Sequence, residues 1–177
     1  LVQISGAVSG HEAYGPITPV MAEHFTVLDF DHRGYGLSDR PDQAYDIGVW
    51  SSDLVAMLDA LGIDKAHIHG GSMGAFIAQE LMLQRPDLVR QAVLMGTRGR
   101  LDDTRKAFRA ADVALAESGV DLPASYAAKV RVLENFSPKT INSPAVREWL
   151  EMFTAFPVRR TPGLRAQLTV APTENRL

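Results

Sequence analysis

Residues 66–81 read AHIHGGSMGAFIAQEL, and this stretch constrains the fold more than any other. Ala66–His69 has the alternation of a strand, and Phe76, Ile77, Glu80 and Leu81 fall at helical spacing. Only Gly70-Gly71-Ser72-Met73-Gly74 separates the two. A strand that turns into a helix within so few residues must pass close to it. Side chains on either side of Ser72 would clash, so glycine is required there. One consequence is a strained backbone at Ser72 with its Oγ at the tip of the turn, as in a G-x-S-x-G nucleophile elbow. The plainer reading is a tight structural turn that contains a serine. The pentapeptide alone is expected by chance in about one chain in twenty of this length. The strand before it and the helix after it make the signal specific.

The rest of the chain repeats the alternation. Strands are predicted at Leu1–Ser5, Thr26–Phe30 and Gln91–Met95. Helical spacing joins Ile17, Val20 and Met21, and later Leu54, Met57, Leu58 and Leu61, with Gly62 as a natural stop. Pro86 ends the helix after Ser72. Strand and helix in turn predict an α/β fold, a mostly parallel sheet with helices on both faces. From about Leu101 to Phe156 the pattern is helical only. Phe108, Ala111, Ala114 and Leu115 form one stripe, Val130, Leu133 and Glu134 belong to a second segment, and Trp149, Met152, Phe153 and Phe156 form a third. These stripes read as ordinary core or as a helical cap whose inner face, Trp149 and Phe153 included, lines an apolar pocket. The expected division is residues 1–98 as core, 99–165 as helical cap and 166–177 as a return segment.

Composition narrows the function. The net charge is -3, so neither a nucleic-acid footprint nor a membrane-surface patch is expected. No apolar run reaches the ~20 residues of a membrane span. The chain has no cysteine, which removes disulfides, thiol nucleophiles and thiolate metal sites and fits a reducing, cytoplasmic setting. The expected partner is a small-molecule substrate, with no cofactor and no metal. Self-association into a homo-oligomer stays open.

Serine chemistry sets further demands. An oxyanion needs two N–H donors. The backbone N–H of Met73, at the helix start, is one candidate. Ala7 is the other, in the loop after the first strand, where Gly6 allows close approach. His11 lies in that loop, either at the pocket mouth or simply on the surface. The turn Asp31-His32-Arg33-Gly34-Tyr35-Gly36-Leu37-Ser38-Asp39 lacks the lysine of a phosphate-binding loop. It reads as structural, with Asp31 and Arg33 paired and glycines at positive φ. His67 and His69 share one strand face, but no third ligand is near in sequence, so packing is expected rather than metal binding. A general base is also needed, and no histidine follows His69. Together with ends that read as interrupted, this predicts a fragment whose acid and base lie outside the chain, inactive alone and with an exposed sheet edge.

With these features in order, the chain resembles the α/β-hydrolase superfamily. SMGAFIAQELM, AVLMGTRGRLD, LENFSPKT and TPGLRAQL resemble its non-heme, cofactor-free bromoperoxidase-like branch. The resemblance implies an eight-stranded sheet in which Leu1–Ser5 is the third strand and Gln91–Met95 the sixth, followed by the cap. It implies Ser72 as nucleophile and Met73 and Ala7 as oxyanion donors. The usual His-Gly of the oxyanion loop is Ser5-Gly6 here. Implied substrates are esters, thioesters or carbon–carbon bonds in a small, partly apolar molecule, with cofactor-free haloperoxidase or perhydrolase chemistry as a side activity. The rival is a non-catalytic ligand-binding or partner-binding protein of the same fold. Dehalogenase and epoxide-hydrolase relatives need aspartate where Ser72 stands.

Overall fold

A computed structural model describes residues 1–7, 9–41, 43, 45–99 and 102–156. They divide into two compact units, one through Glu117 and one from Ser118. The predicted return segment 166–177 lies outside the described residues.

The first unit is built on four parallel strands: β1 (Val2–Ile4), β2 (Leu28–Asp29), β3 (Ala66–Gly71) and β4 (Val89–Met95), in the order β2-β1-β3-β4. Its helices are α1 (Thr18–Ala22), α2 (Ile47–Ala60), α3 (Met73–Gln84) and α4 (Asp103–Ser118). Pairing sets Val2 beside Ile68 and Ile4 beside Gly70, and on the other side Ile68 beside Ala92. Side chains alternate across a strand, so these residues share one sheet face. Against it pack Trp50, Leu54 and Leu58 of α2 and Ile77 and Leu81 of α3, all buried. The opposite face carries Gln3, His67 and His69. Here Thr18 of α1 bonds Gln3, Tyr14 lies on His69, and Phe25 lies edge-on to His67. Helices thus cover both faces of a parallel sheet, as the alternation predicts.

Local chemistry sets the helix ends. Asp46 caps α2 by accepting from the Val49 N–H at 2.7 Å. At the other end Gly62 sits at φ 64, with Gly62 N–H bonded to the Asp59 carbonyl and Ile63 N–H to that of Leu58. This pair of bonds is a Schellman stop, and glycine bears its left-handed residue without strain. Pro86 ends α3 as predicted, since the helix stops at Gln84.

The second unit contains α5 (Ala124–Asn135), α6 (Pro138–Ile141) and α7 (Val146–Ala155). Helix α5 packs on α7, and Ala128 and Val132 are its buried residues rather than Leu133. Among the described residues, no helix is long and apolar enough to cross a membrane.

Candidate active site

Ser72 sits where β3 ends and α3 begins, at φ 53 and ψ -118. It is the single non-glycine residue at positive φ among those described. Its side chain is exposed, while Met73, Gly74 and Ala75 behind it are buried. The flanking glycines have a steric cause. A Cβ on Gly70 would lie 2.7 Å from the Gly74 carbonyl oxygen, and one on Gly74 would lie 2.0 Å from that of Ile4. Both clashes are with backbone, which cannot swing aside. Strand β4 holds the turn from the other side, because Ser72 N–H donates to the Met95 carbonyl at 2.8 Å. The Met73 N–H lies in the first turn of α3, where no carbonyl of the helix can accept it.

The loop leaving β1 runs past this serine. A Cβ on Gly6 would meet Ser72 Cβ at 3.3 Å and Oγ at 3.8 Å. Ala7 follows, partly buried against the core. Gly6 is therefore brought against Ser72, with Ala7 and Met73 as their chain neighbours. His11 opens a 3-10 turn over His11–Tyr14 and stays exposed. Its Nδ1 lies 2.9 Å from Asp31 Oδ1. That hydrogen bond raises the imidazole pKa above its ordinary value. Trp149 and Phe153 belong to the second unit, where their rings pack on each other and on Phe136, with Arg131 over Phe153.

The pairing expected between Asp31 and Arg33 does not form. Arg33 makes a bidentate contact with Asp53 of α2 instead. Asp31 turns the other way, and its carboxylate accepts from the N–H groups of His11 and Leu37, each at 2.9 Å. Burial opposes ionisation there, but those bonds and the His11 ring outweigh it and lower the pKa. The glycines of the turn do take positive φ, 86 for Gly34 and 53 for Gly36.

The histidines of the core have structural partners. His69 lies against the Tyr14 ring, centroids 4.8 Å apart, and its Nδ1 is 3.5 Å from Gln3 Oε1. His32, buried, bonds the Ser5 carbonyl through Nε2 at 3.0 Å. Burial pushes its pKa down. Neither His32 nor Tyr14, whose hydroxyl donates to the Ile4 carbonyl at 3.0 Å, was singled out from sequence. Their partners are carbonyls at and just past the end of β1, 27 and 10 residues away, and no local pattern announces those. The described group that could chelate a cation is His11, Glu12 and Asp31, not His67 and His69.

The alpha/beta hydrolase fold family model matches residues 3–133. The chain belongs to that family. Within it, the chain groups with the non-heme bromoperoxidase-like branch. It is 43% identical over 180 residues to the Mycobacterium tuberculosis protein named "Putative non-heme bromoperoxidase BpoC". That alignment covers all of this chain and 68% of the relative. The crystal structure of BpoC superposes with a TM-score of 0.89 at 42% identity, over 98% of this chain and 66% of that one. A 2-hydroxymuconate semialdehyde hydrolase of Pseudomonas sp. is 38% identical over 103 residues, 56% of this chain and 36% of that protein. The chain thus spans about two thirds of the length of the M. tuberculosis relative.

Proposed function

We propose that the protein is a serine hydrolase acting on an ester, thioester or carbon–carbon bond of a small, partly apolar substrate. The observation that carries this reading is Ser72, exposed at φ 53 between a strand end and a helix start. Such strain costs of order 1–3 kcal/mol and is retained where function needs the geometry.

The chemistry follows from the neighbours. Ser72 Oγ attacks the substrate carbonyl carbon and gives up its proton to a general base. The negative charge on the carbonyl oxygen is met by the N–H groups of Met73 and Ala7, aided by the positive end of α3. Collapse expels the leaving group, which takes the proton, and leaves an acyl-serine. Water then attacks the acyl carbon and releases the acid. Hydrogen peroxide in place of water would release a peracid, which can oxidise halide without a metal. The names of BpoC and of the Pseudomonas hydrolase are in keeping with these two outcomes.

The base is proposed to come from sequence outside these 177 residues, because no histidine follows His69. The same observation favours a second reading, a binding protein that keeps the elbow without turnover. Labelling decides between them. The full-length protein should react with a fluorophosphonate at Ser72, and Ser72→Ala should not. An unlabelled wild-type protein, or a variant labelled as strongly as wild type, would sink the hydrolase reading.

A further inference from the structure

Building on Ser72 as nucleophile, we propose that Asp31 is a positioning residue that holds the loop bearing the second oxyanion donor in place. The loop leaving β1 has its own internal bonds: Ser5 Oγ to the Ser9 carbonyl at 2.9 Å, Ser9 Oγ to that of Gly6 at 3.1 Å, and Gly10 N–H to Glu12 Oε1 at 3.0 Å. These fix its shape but not its place over Ser72. Its near end is anchored by His32 on the Ser5 carbonyl and Tyr14 on that of Ile4. Its far end is anchored by Asp31.

The Asp31 side chain is only 5% exposed, although both its loops lie at the surface. A buried carboxylate must be fully hydrogen-bonded. Here Oδ1 takes the His11 N–H and faces His11 Nδ1, while Oδ2 takes the Leu37 N–H. The sequence clears space for it on both loops. A Cβ on Gly10 would fall 2.1 Å from Oδ1, and one on Gly36 would fall 2.1 Å from Oδ2. The Tyr35 hydroxyl also reaches across to Glu12, but that contact is long at 3.5 Å. Without the Asp31 charge the far end of the loop is loosely held, and the Ala7 N–H drifts from the oxyanion.

The test compares the full-length wild type with Asp31→Asn, which keeps the size and removes the charge. The readouts are kcat and KM for a p-nitrophenyl ester and the Ki of a trifluoromethyl ketone, which mimics the tetrahedral adduct. Expected is a fall in kcat of about ten- to a hundredfold. KM should stay within about threefold, and Ki should rise in step with the loss in kcat/KM. A merely structural role would lower the active fraction and leave Ki unchanged. Unchanged Ki, or kcat within about twofold of wild type, overturns the proposal. Should Asp31→Asn fail to fold, Gly10→Ala presses on the same carboxylate and is read by the same criteria. A wild type that is neither labelled at Ser72 nor active refutes the hydrolase reading itself. A labelled, active wild type beside an unaffected variant refutes the Asp31 proposal alone.

Discussion

Gly74→Ala tests why the turn is built from glycine. A methyl at this position would lie 2.0 Å from the Ile4 carbonyl oxygen, 2.6 Å from its carbon and 2.6 Å from the Ser5 carbonyl oxygen. Ordinary contact starts at 3.4 Å, so α3 and β1 would have to separate by about 1.4 Å. Helix α3 cannot withdraw freely, because Ile77, Ala78 and Leu81 on it are fully buried in the core. Overpacking costs about 1–3 kcal/mol, and a clash with backbone on both sides belongs at the top of that range. In a domain of this size about 3 kcal/mol lowers the melting temperature by about 6–12 °C. Gly62→Ala is the control. Its φ is 64 and nothing lies within 4 Å of the added methyl, so it bears only the backbone strain of about 1–2 kcal/mol. Thermal and urea unfolding of the full-length protein, followed by far-UV circular dichroism, should rank Gly74→Ala well below Gly62→Ala. Fluorophosphonate labelling should fall with Gly74→Ala only, since its clash shifts the start of α3. Equal stability of the two variants, with labelling intact, would refute the close-approach argument.

Two other perturbations probe the frame around the site. His32 is buried and its pKa lies below the ordinary 6.5, so the folded protein holds it neutral while the unfolded chain takes up a proton as pH falls through 6.5. Stability is therefore lost from 6.5 downward toward the folded pKa. The pH dependence of the urea midpoint between about pH 7.5 and pH 5.5 should flatten in His32→Gln. An unchanged slope would contradict the assignment. The Arg33–Asp53 pair is bidentate, with side chains 25% and 35% exposed. Asp53→Asn should cost about 1 kcal/mol, a difference that shrinks in high salt. No loss in urea unfolding at low salt would remove the pair from the account of the turn.

The elbow is legible because its strand, glycines and helix are consecutive in the chain, although the Ile4 and Met95 carbonyls that close it in come from elsewhere. Strand, glycines and helix fall within residues 66–84, and the close approach they imply has few solutions. The Asp31 turn is less legible, because its contacts are not local. Reading along the chain offers Arg33 as the nearest cation, yet the partners are His11 and, for Arg33, Asp53, each 20 residues away. The pairing of β1 with β2 brings the loops bearing His11 and Asp31 to one sheet edge, while Asp53 comes from α2. The helical stripes show a related limit. A 3.6-residue period says that a helix has an apolar face, not how much of it is covered. Phe108 and Leu133 belong to such stripes and remain 57% and 56% exposed. Helix α7 ends at Ala155, leaving Phe156 as its cap and 74% exposed.

The role of the Ser72 hydroxyl can be separated from the role of its backbone. A serine at a helix start ordinarily takes an extended backbone and accepts an N–H of the first turn with its side chain, and replacing it with alanine costs ~1 kcal/mol. Ser72 does neither. Its φ is 53, and its side chain makes no capping hydrogen bond. The backbone of the turn is held by Gly70, Gly74 and the Met95 carbonyl. The hydroxyl therefore contributes little to the fold, and it occupies none of the first-turn N–H groups of α3. Ser72→Ala should unfold within about 0.5 kcal/mol of wild type, far less than an ordinary cap loses. The same variant should lose all fluorophosphonate labelling. A loss of 1 kcal/mol or more, of the size an ordinary cap supplies, would mean that the hydroxyl serves the turn, and the structural reading of this glycine-rich bend would regain the ground.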